Sequence, residues 1–238
     1  FQRLINIIPR NGLLLANGDE PNLLPLTGVG HCPVRHFGLG NDCDAQADQL
    51  LFSESGSTFR LGSAQFRIPM IGELNVRNAL AALLMARYAG LSDEQIQAGF
   101  DTFEGIRRRM EIRGEVNGVT VIDDFAHHPT AVDLPLKALR MRFGGRRMWA
   151  IFEPRSNTSR RNVFQAQYAA SFDAADITVI ADPYNIESIP EAERMDPIHL
   201  VEDIRQRGNE AFSWPDAVSY THLRAHETPE HRVCRRVL

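Results

Sequence analysis

Lysine is almost absent from this chain, and its scarcity limits the chemistry that the chain can carry out alone. The sequence has 26 lysine and arginine residues, of which only Lys137 is a lysine, so the other 25 are arginines. Lys137 lies in the helical pattern Leu-Pro-Leu-Lys-Ala-Leu, and no glycine-rich loop precedes it. A phosphate-binding P-loop needs a Gly-Lys-Ser/Thr end. The sequence therefore contains no P-loop, and if the protein uses ATP, part of the machinery lies outside this chain.

Cysteine, long apolar runs and an excess of basic charge are also missing. The three cysteines, Cys32, Cys43 and Cys234, form no CxxC pair and no disulfide framework, which is typical of a reducing compartment. No apolar run approaches the length of a membrane span. A net charge of −4 offers no basic surface to nucleic acid. We therefore expect a cytoplasmic protein with no membrane partner, no nucleic-acid partner and no metal site of its own.

Hydrophobic periodicity predicts an α/β chain. Short apolar runs, such as residues 4–8, are interpreted as strands of a β-rich first part. The clearest helix spans residues 72–90, and a capping box at Ser92-Asp-Glu-Gln95 begins a second helix. Strands and helices alternate as β-α-β-α-β-α from 119 to 207. This alternation predicts a doubly wound parallel sheet, in which ligands bind at the carboxyl ends of the strands.

One predicted strand end carries two adjacent aspartates and two adjacent histidines. Asp123 and Asp124 end an apolar run, and His127 and His128 precede a proline and a helical pattern. Such side chains suit an acid, a base, a metal ligand or a partner for phosphate. The alternative is a simple helix start, because proline suits the first turn and Asp or Thr suits a cap. Both interpretations stay open, although paired acidic and imidazole groups exceed what capping requires.

The next predicted strand ends in an arginine-rich segment, residues 153–161. It is interpreted either as an exposed loop that caps the following helix or as a substrate site. In the second interpretation Arg155, Arg160 and Arg161 bind carboxylates, and nearby Asn157 and Thr158 donate hydrogen bonds.

Two further groups of polar residues precede these strands. Asn75 and Asn78 lie three residues apart, on one face of the predicted helix, where they either cap it or contact a base or ribose. The run Arg107 to Arg109 stands beside Gly105, a plausible hinge between domains. It is either a solvated charged run or a source of a guanidinium for a phosphate.

Three motifs, in their order and spacing, resemble the Mur ligases of peptidoglycan synthesis. They are Gly72-x-x-Asn75-x-x-Asn78-Ala-Leu-Ala-Ala, Gly105-x-x-x-Arg109-x-Glu111 and Asp123-Asp-Phe-Ala-His-His-Pro-Thr130. The third motif resembles the branch that acts on UDP-N-acetylmuramate, whose members add either L-alanine or a recycled murein tripeptide. The segment Phe152-Glu-Pro-Arg-Ser-Asn-Thr158 resembles the tripeptide-adding members. The resemblance covers about residues 1–217.

The resemblance also implies a domain organisation. Residues 1–104 would be the C-terminal part of a central ATP-binding domain, and residues 105–217 an incomplete, Rossmann-like C-terminal domain. The P-loop, the magnesium ligands and a domain that binds the UDP-sugar are expected upstream of Phe1, so the chain is expected to be a fragment, inactive alone. Residues 218–238 lack the family's closing glycine-rich segment and resemble a translated sequencing adapter. We therefore interpret them as a non-native tail.

The implied reaction is the ATP-dependent formation of an amide bond. ATP, with Mg²⁺, phosphorylates the carboxylate of UDP-N-acetylmuramate, and the amine of L-alanyl-γ-D-glutamyl-meso-diaminopimelate attacks the acyl phosphate. Such chemistry depends on positioning, charge neutralisation and the exclusion of water. The alternatives are a ligase that adds L-alanine, or a non-catalytic module that binds a nucleotide or peptide in the same cleft.

The resemblance assigns roles in this reaction to individual residues. The expected contacts to ATP, near adenine, phosphate and ribose, come from Asn75, Asn78, Arg109 and Asp124. His127 and His128 would line the cleft and act with Arg109 and Asp124 in catalysis. The tripeptide would meet a loop consisting of Arg155, Ser156, Asn157 and Thr158.

Overall fold

The computed structural model describes residues 2–28, 30–53 and 55–215, together with the backbone of strand Arg232–Val237. The chain divides into two compact units, Phe1–Glu104 and Gly105–Leu238. Each unit has its own hydrophobic core, and each is described by itself. Within the described residues, no helix has the length and apolar character needed to cross a membrane.

The first unit contains a five-stranded sheet and four helices. Its strands are β1 Leu14–Asn17, β2 Val34–Gly38, β3 Ala45–Ser53, β4 Gly56–Leu61 and β5 Ala64–Ile68; its helices are α1 Gln2–Asn6, α2 Leu24–Thr27, α3 Glu73–Tyr88 and α4 Asp93–Asp101. The sheet order follows the chain, with β1, β2 and β3 parallel and β3, β4 and β5 antiparallel. The prediction of a strand at residues 4–8 is wrong, because this short apolar run overlaps α1 and its end.

Helix α3 matches the helix predicted at residues 72–90 and contributes to the core of the first unit. Its apolar face is buried against the aromatic side chains of β4 and β5, Phe59 and Phe66, whose rings stack with centroids 5.8 Å apart. The predicted capping box of α4 is confirmed. The Gln95 backbone N–H donates to Ser92 Oγ at 3.3 Å, and the Ser92 N–H donates to Gln95 Oε1 at 2.9 Å.

The second unit has the alternating α/β arrangement that the sequence predicts. Its strands are β6 Glu111–Val116, β7 Val119–Asp124, β8 Arg147–Phe152, β9 Ile177–Ala181, β10 Glu210–Trp214 and β11 Arg232–Val237; its helices are α5 Pro129–Phe143, α6 Gln165–Ser171 and α7 Pro197–Gln206. The sheet order is β10-β9-β8-β11-β7-β6. All neighbouring strands are parallel except β6, which forms an antiparallel hairpin with β7.

The core of the second unit fixes the strands whose ends carry polar residues. Tyr168 and Phe172 of the α6 region pack on Phe152, the last residue of β8, with ring centroids 5.2 and 5.7 Å from it. Ile122 of β7 and Leu136 of α5 are fully buried in the same cluster. Burial of these apolar side chains stabilises the strands beneath the polar strand ends.

The predicted non-native tail lies partly outside the described residues. Of residues 218–238, only the backbone of β11 is described, and it pairs with β7 on one side and β8 on the other. Val237 is opposite both Asp124 and Phe152. The interpretation of the tail as non-native stays a prediction.

Candidate functional site

The carboxyl ends of β7, β8 and β9 lie at one edge of the second sheet. These strands run parallel through the ladder, and they end at Asp124, Phe152 and Ala181. The loops that follow them, residues 125–128 and 153–161 among them, therefore emerge at the same edge. This is the edge at which open parallel sheets bind their ligands.

Asp124 anchors the segment that leads into the second unit. Its side chain is only 2% exposed, and its Oδ2 accepts a hydrogen bond from the Met110 backbone N–H at 2.9 Å. The Phe125 N–H in turn donates to the Arg108 carbonyl at 2.8 Å. Arg108 and Met110 both have a left-handed backbone, with φ of 57° and 51°. The buried carboxylate thus stabilises a strained turn beside the end of β7.

Glu111 completes this anchor from the other side. The Arg108 backbone N–H donates to Glu111 Oε2 at 2.8 Å, and this hydrogen bond holds the pKa of Glu111 below its usual value. Asp123, the neighbour of Asp124, instead faces a guanidinium, with Oδ2 lying 3.8 Å from Arg108 Nε. The two adjacent aspartates therefore make different contacts.

The exposed ring of Phe125 is contacted by two arginines and a histidine. Phe125 is 42% exposed, and its ring centroid lies 4.8 Å from Arg108 Cζ and 5.9 Å from Arg109 Cζ. The His127 ring lies against the same ring, with centroids 5.1 Å apart. The structure thus brings Arg109 and His127 together around Phe125, the residue that follows Asp124. The catalytic roles of Arg109, Asp124 and His127 stay predictions.

The two histidines occupy different surroundings. The His127 carbonyl accepts a 2.6 Å hydrogen bond from the hydroxyl of Tyr168, a fully buried side chain whose pKa is raised by burial. His128 packs edge-on against Phe164 with ring centroids 4.8 Å apart. His128 is also the N-cap of α5, and no side chain makes a capping hydrogen bond there. Pro129 begins α5, as the helix-start interpretation predicts, but no side chain caps the helix. The functional interpretation of Asp123, Asp124 and the two histidines stays a prediction.

The loop after β8 is held by two serines. The Ser156 N–H donates to Ser159 Oγ, and the Ser159 N–H donates to Ser156 Oγ, both at 3.0 Å. Ser159 is fully buried, whereas Asn157 and Thr158 are exposed between the two serines. Ser156, which the resemblance assigns to the substrate, thus has a structural role, and Asn157 and Thr158 are the exposed members of the loop.

The three arginines of this loop differ in how many of their donor groups are already bound by the protein. Arg160 Nη1 donates to the carbonyls of Tyr184 and Asn185 and to Ser188 Oγ, at 2.9–3.3 Å. Arg161 forms an ion pair with Glu193. Arg155 is half exposed and has its Nε 2.9 Å from Glu153 Oε1. The interpretation in which all three arginines bind substrate carboxylates is therefore supported by geometry for Arg155 alone.

Asn75 and Asn78 lie in the first unit, on α3. Asn75 is half buried, and its Nδ2 donates to the Ile71 carbonyl at 2.9 Å, while Asn78 is exposed. Gly72 is the N-cap of α3, and no side chain makes a capping hydrogen bond there, so neither asparagine is the cap. Their predicted contact with a nucleotide stays a prediction.

A carboxylate that sequence reasoning missed contacts Arg77, a residue of the same helix. Asp19 accepts hydrogen bonds from the Leu39 and Gly40 N–H groups and from Arg77 Nε, each at 2.8 Å. Burial opposes ionisation, but these donors hold the pKa of Asp19 below its usual value. A Cβ on Gly38 would lie 2.6 Å from Asp19 Oδ1, so a larger residue there would displace the Asp19 carboxylate. Its position offered a signal, because Asp19 follows the carboxyl end of β1.

No metal site emerges from the residues that the structure describes. Among them, no three His, Cys, Asp or Glu side chains are grouped so that they could hold an ion.

Comparisons with known proteins agree with this geometry. The profile of the family described as Mur ligase middle domain matches residues 1–86. The profile described as Mur ligase, glutamate ligase domain matches residues 108–229. The chain therefore belongs to the Mur ligase family, and both units have the α/β fold of that family.

Curated relatives carry two different names. A UDP-N-acetylmuramate–L-alanine ligase from Salinibacter ruber is 33% identical, over 90% of this chain and 46% of its own length. A UDP-N-acetylmuramate–L-alanyl-γ-D-glutamyl-meso-2,6-diaminoheptandioate ligase from Escherichia coli is 35% identical, over 78% of this chain and 41% of its own length. The chain thus spans about half the length of the curated relatives it matches.

Similar solved structures also include both kinds of ligase. The murein peptide ligase of Psychrobacter arcticus has a TM-score of 0.68 and 28% identity, and the match covers 100% of this chain and 50% of that one. The UDP-N-acetylmuramate–alanine ligase of Thermotoga maritima has a TM-score of 0.75 at 18% identity, with 94% of this chain and 47% of that one covered. The second likeness concerns the fold alone.

Proposed function

We propose that this chain is part of an ATP-dependent amide ligase that joins UDP-N-acetylmuramate to L-alanyl-γ-D-glutamyl-meso-diaminopimelate, in the recycling of peptidoglycan. In this proposal the muramyl carboxylate is activated as an acyl phosphate, and the tripeptide amine displaces phosphate to form the amide. A cytoplasmic location is part of the proposal. The observation that carries it is the presentation of Arg155 at the carboxyl end of β8.

Arg155 supports a peptide substrate because of the groups that it would meet. The tripeptide carries several carboxylates, whereas free L-alanine carries one. A guanidinium presents paired N–H donors in a plane, which match the two oxygens of a carboxylate. Asn157 and Thr158 are exposed beside it and add hydrogen-bonding groups.

The nucleotide part of the proposal rests on two sets of residues, one in each unit. In the second unit, Arg109 would neutralise phosphate charge and Asp124 would face the ribose, with His127 and His128 lining the cleft. In the first unit, Asn75 and Asn78 would contact ATP. Because Asp124 is 2% exposed and already accepts from Met110, we propose that it also fixes the turn that carries Arg109. The Mg²⁺ that accompanies ATP would find its ligands outside the residues described here.

The domain boundaries belong to the same proposal. Residues 1–104 would be the C-terminal part of the central ATP-binding domain, and residues 105–217 would be the incomplete C-terminal domain. Residues 218–238 would be non-native. Sequencing the source locus tests the last point, because a genomic read that continues into this tail would show it to be native.

The test of the activity supplies the N-terminal half of a Mur ligase in trans. This chain, that half, ATP, Mg²⁺, UDP-N-acetylmuramate and the tripeptide are combined, and the UDP-muramyl tripeptide and ADP are measured. We expect product only when both halves are present. An absence of product from two well-folded halves would favour a non-catalytic module that binds the nucleotide or the peptide, a reading that the missing P-loop also allows.

A second candidate is the ligase that adds L-alanine, which is the name carried by a relative matched over 90% of this chain. It predicts that L-alanine competes with the tripeptide as the amine in the same assay. It also predicts that Arg155→Ala leaves turnover unchanged, whereas our proposal predicts weaker binding of the tripeptide by about 1.5–3 kcal/mol.

A further inference from the structure

The Arg155 guanidinium is contacted on two sides by residues to which the resemblance assigns no role. On one side its Nε lies 2.9 Å from Oε1 of Glu153, whose side chain is 12% exposed. On the other, its Cζ lies 4.9 Å from the ring centroid of Tyr184, in the loop after β9. An ion pair and a ring thus restrict a side chain that is otherwise rich in rotamers.

Hydrogen bonds join the loop after β8, which carries Glu153 and Arg155, to the loop after β9, which carries Tyr184. The Tyr184 N–H donates to the Pro154 carbonyl at 3.1 Å. Arg160 of the first loop donates to the carbonyls of Tyr184 and Asn185 in the second. The position of the Tyr184 ring relative to Arg155 is therefore set by backbone contacts as well as by the ring itself.

The outer edge of the guanidinium remains available for a ligand. Within residues 2–28, 30–53 and 55–215, Nη1 and Nη2 of Arg155 donate no hydrogen bond, in contrast to Nη1 of Arg160. These two nitrogens form the edge that binds a carboxylate through parallel hydrogen bonds. Glu153 covers the Nε side, so a ligand carboxylate is directed to that edge.

We propose that Glu153 and Tyr184 are positioning residues that fix Arg155 as a receptor for one carboxylate of the peptide substrate. This inference rests on the proposed function and adds to it a specificity: one carboxylate of the peptide must be free. A peptide in which that carboxylate is an amide loses the paired acceptor and binds more weakly.

The experiment compares the tripeptide with derivatives in which one carboxylate at a time is converted to an amide. Affinities for this chain are measured by isothermal titration calorimetry. The readout is the affinity ratio, which is the affinity for the tripeptide divided by the affinity for its amide derivative. One derivative is expected to bind the wild-type chain roughly 10- to 100-fold more weakly. Arg155→Gln is expected to remove that difference, and Tyr184→Leu to reduce it by about two- to fivefold.

Matched variants separate positioning from general damage. Tyr184→Phe keeps the ring and is expected to restore the wild-type ratio. Tyr88→Leu makes the same change at a similarly exposed tyrosine of the first unit, 56% against 58% exposed, and is expected to leave the ratio unchanged. Glu153→Gln keeps the shape of the side chain, removes its charge and is expected to reduce the ratio, which provides a second test if Tyr184→Leu does not fold.

The possible failures are distinguishable. If Arg155→Gln brings the affinity ratio to about one but Tyr184→Leu and Glu153→Gln keep the wild-type ratio, the positioning inference is wrong and the proposed function stands. If Arg155→Gln keeps the wild-type ratio, or the wild-type chain binds no tripeptide, the peptide role of this loop is wrong as well. Thermal unfolding of each variant shows whether the fold is intact.

Discussion

The ends of β7 and β8 carry equally polar sequences, yet the structure uses them differently. At the end of β7, Asp124 and the His127 carbonyl are buried or bound by neighbouring groups, and they hold the backbone in place. At the end of β8, Arg155 is half exposed and keeps two donor nitrogens for a ligand. We infer that loss of the Asp124 or Tyr168 hydrogen bond at the first end lowers stability, whereas loss of Arg155 at the second end mainly weakens ligand binding.

The largest expected effect tests this comparison with two tyrosines. Tyr168 contacts the segment after β7, and Tyr184 contacts Arg155 after β8. Tyr168 is fully buried and donates to the His127 carbonyl, whereas Tyr184 is 58% exposed. Tyr168→Ala should lower the free energy of unfolding by about 3–5 kcal/mol, and Tyr168→Phe by about 1 kcal/mol. Tyr184→Ala should change it by less than about 0.5 kcal/mol. Urea denaturation measures all three, and equal losses from Tyr168→Ala and Tyr184→Ala would contradict the comparison.

A smaller effect is expected from the buried carboxylate. Asp124→Ala leaves the Met110 N–H without its acceptor and should destabilise the unit by about 1–3 kcal/mol. Asp124→Asn keeps an acceptor oxygen and should cost less. Hydrogen exchange of the Met110 amide provides a local readout, since it should accelerate in Asp124→Ala. An unchanged exchange rate would mean that Asp124 does not hold this turn.

Two arginines sharpen the comparison within the loop after β8. Arg160 ties that loop to three acceptors after β9, whereas Arg155 holds no hydrogen bond through its terminal nitrogens within the described residues. Arg160→Gln should therefore lower the free energy of unfolding by about 1–2 kcal/mol. Arg155→Gln, the same substitution five positions earlier, should stay within about 0.5 kcal/mol of wild type. Thermal and urea unfolding of both variants would detect a reversal of this order.

The architecture of the second unit was predictable because its strands are distinctive. Ile177–Ala181 is buried at every position, and such runs, separated by helical patterns, leave few topologies open. The run at residues 4–8 was misinterpreted because a short apolar segment lacks the length that separates a strand from a helix. In the structure, Ile5 is buried and Ile7 is 75% exposed, an arrangement that no pattern of so few residues could indicate.

The candidate site was predictable in position but not in the use of its residues. Strand ends could be located from the apolar runs, so Asp124 and Arg155 were singled out. Their partners lie far away in the sequence or offer only backbone groups: Tyr184 lies over Arg155, and the Met110 N–H binds Asp124. Residue type alone cannot show which of three nearby arginines is engaged, because that depends on which loops meet at the edge of the sheet.

The smallest expected effect concerns pH and the anchor at the end of β7. The Arg108 N–H lowers the folded pKa of Glu111, so the unfolded state takes up a proton at a higher pH than the folded state. The stabilisation is therefore present above the unfolded pKa of about 4.3 and is lost as the pH falls through the folded value. Glu111→Gln should flatten the fall in melting temperature between about pH 5 and pH 3, because it removes the titrating group. Glu187→Gln, at an exposed position, is the control and should keep the wild-type slope. If Glu111→Gln keeps that slope as well, Glu111 does not contribute to the anchor, and the difference between the two strand ends rests on Asp124 and Tyr168 alone.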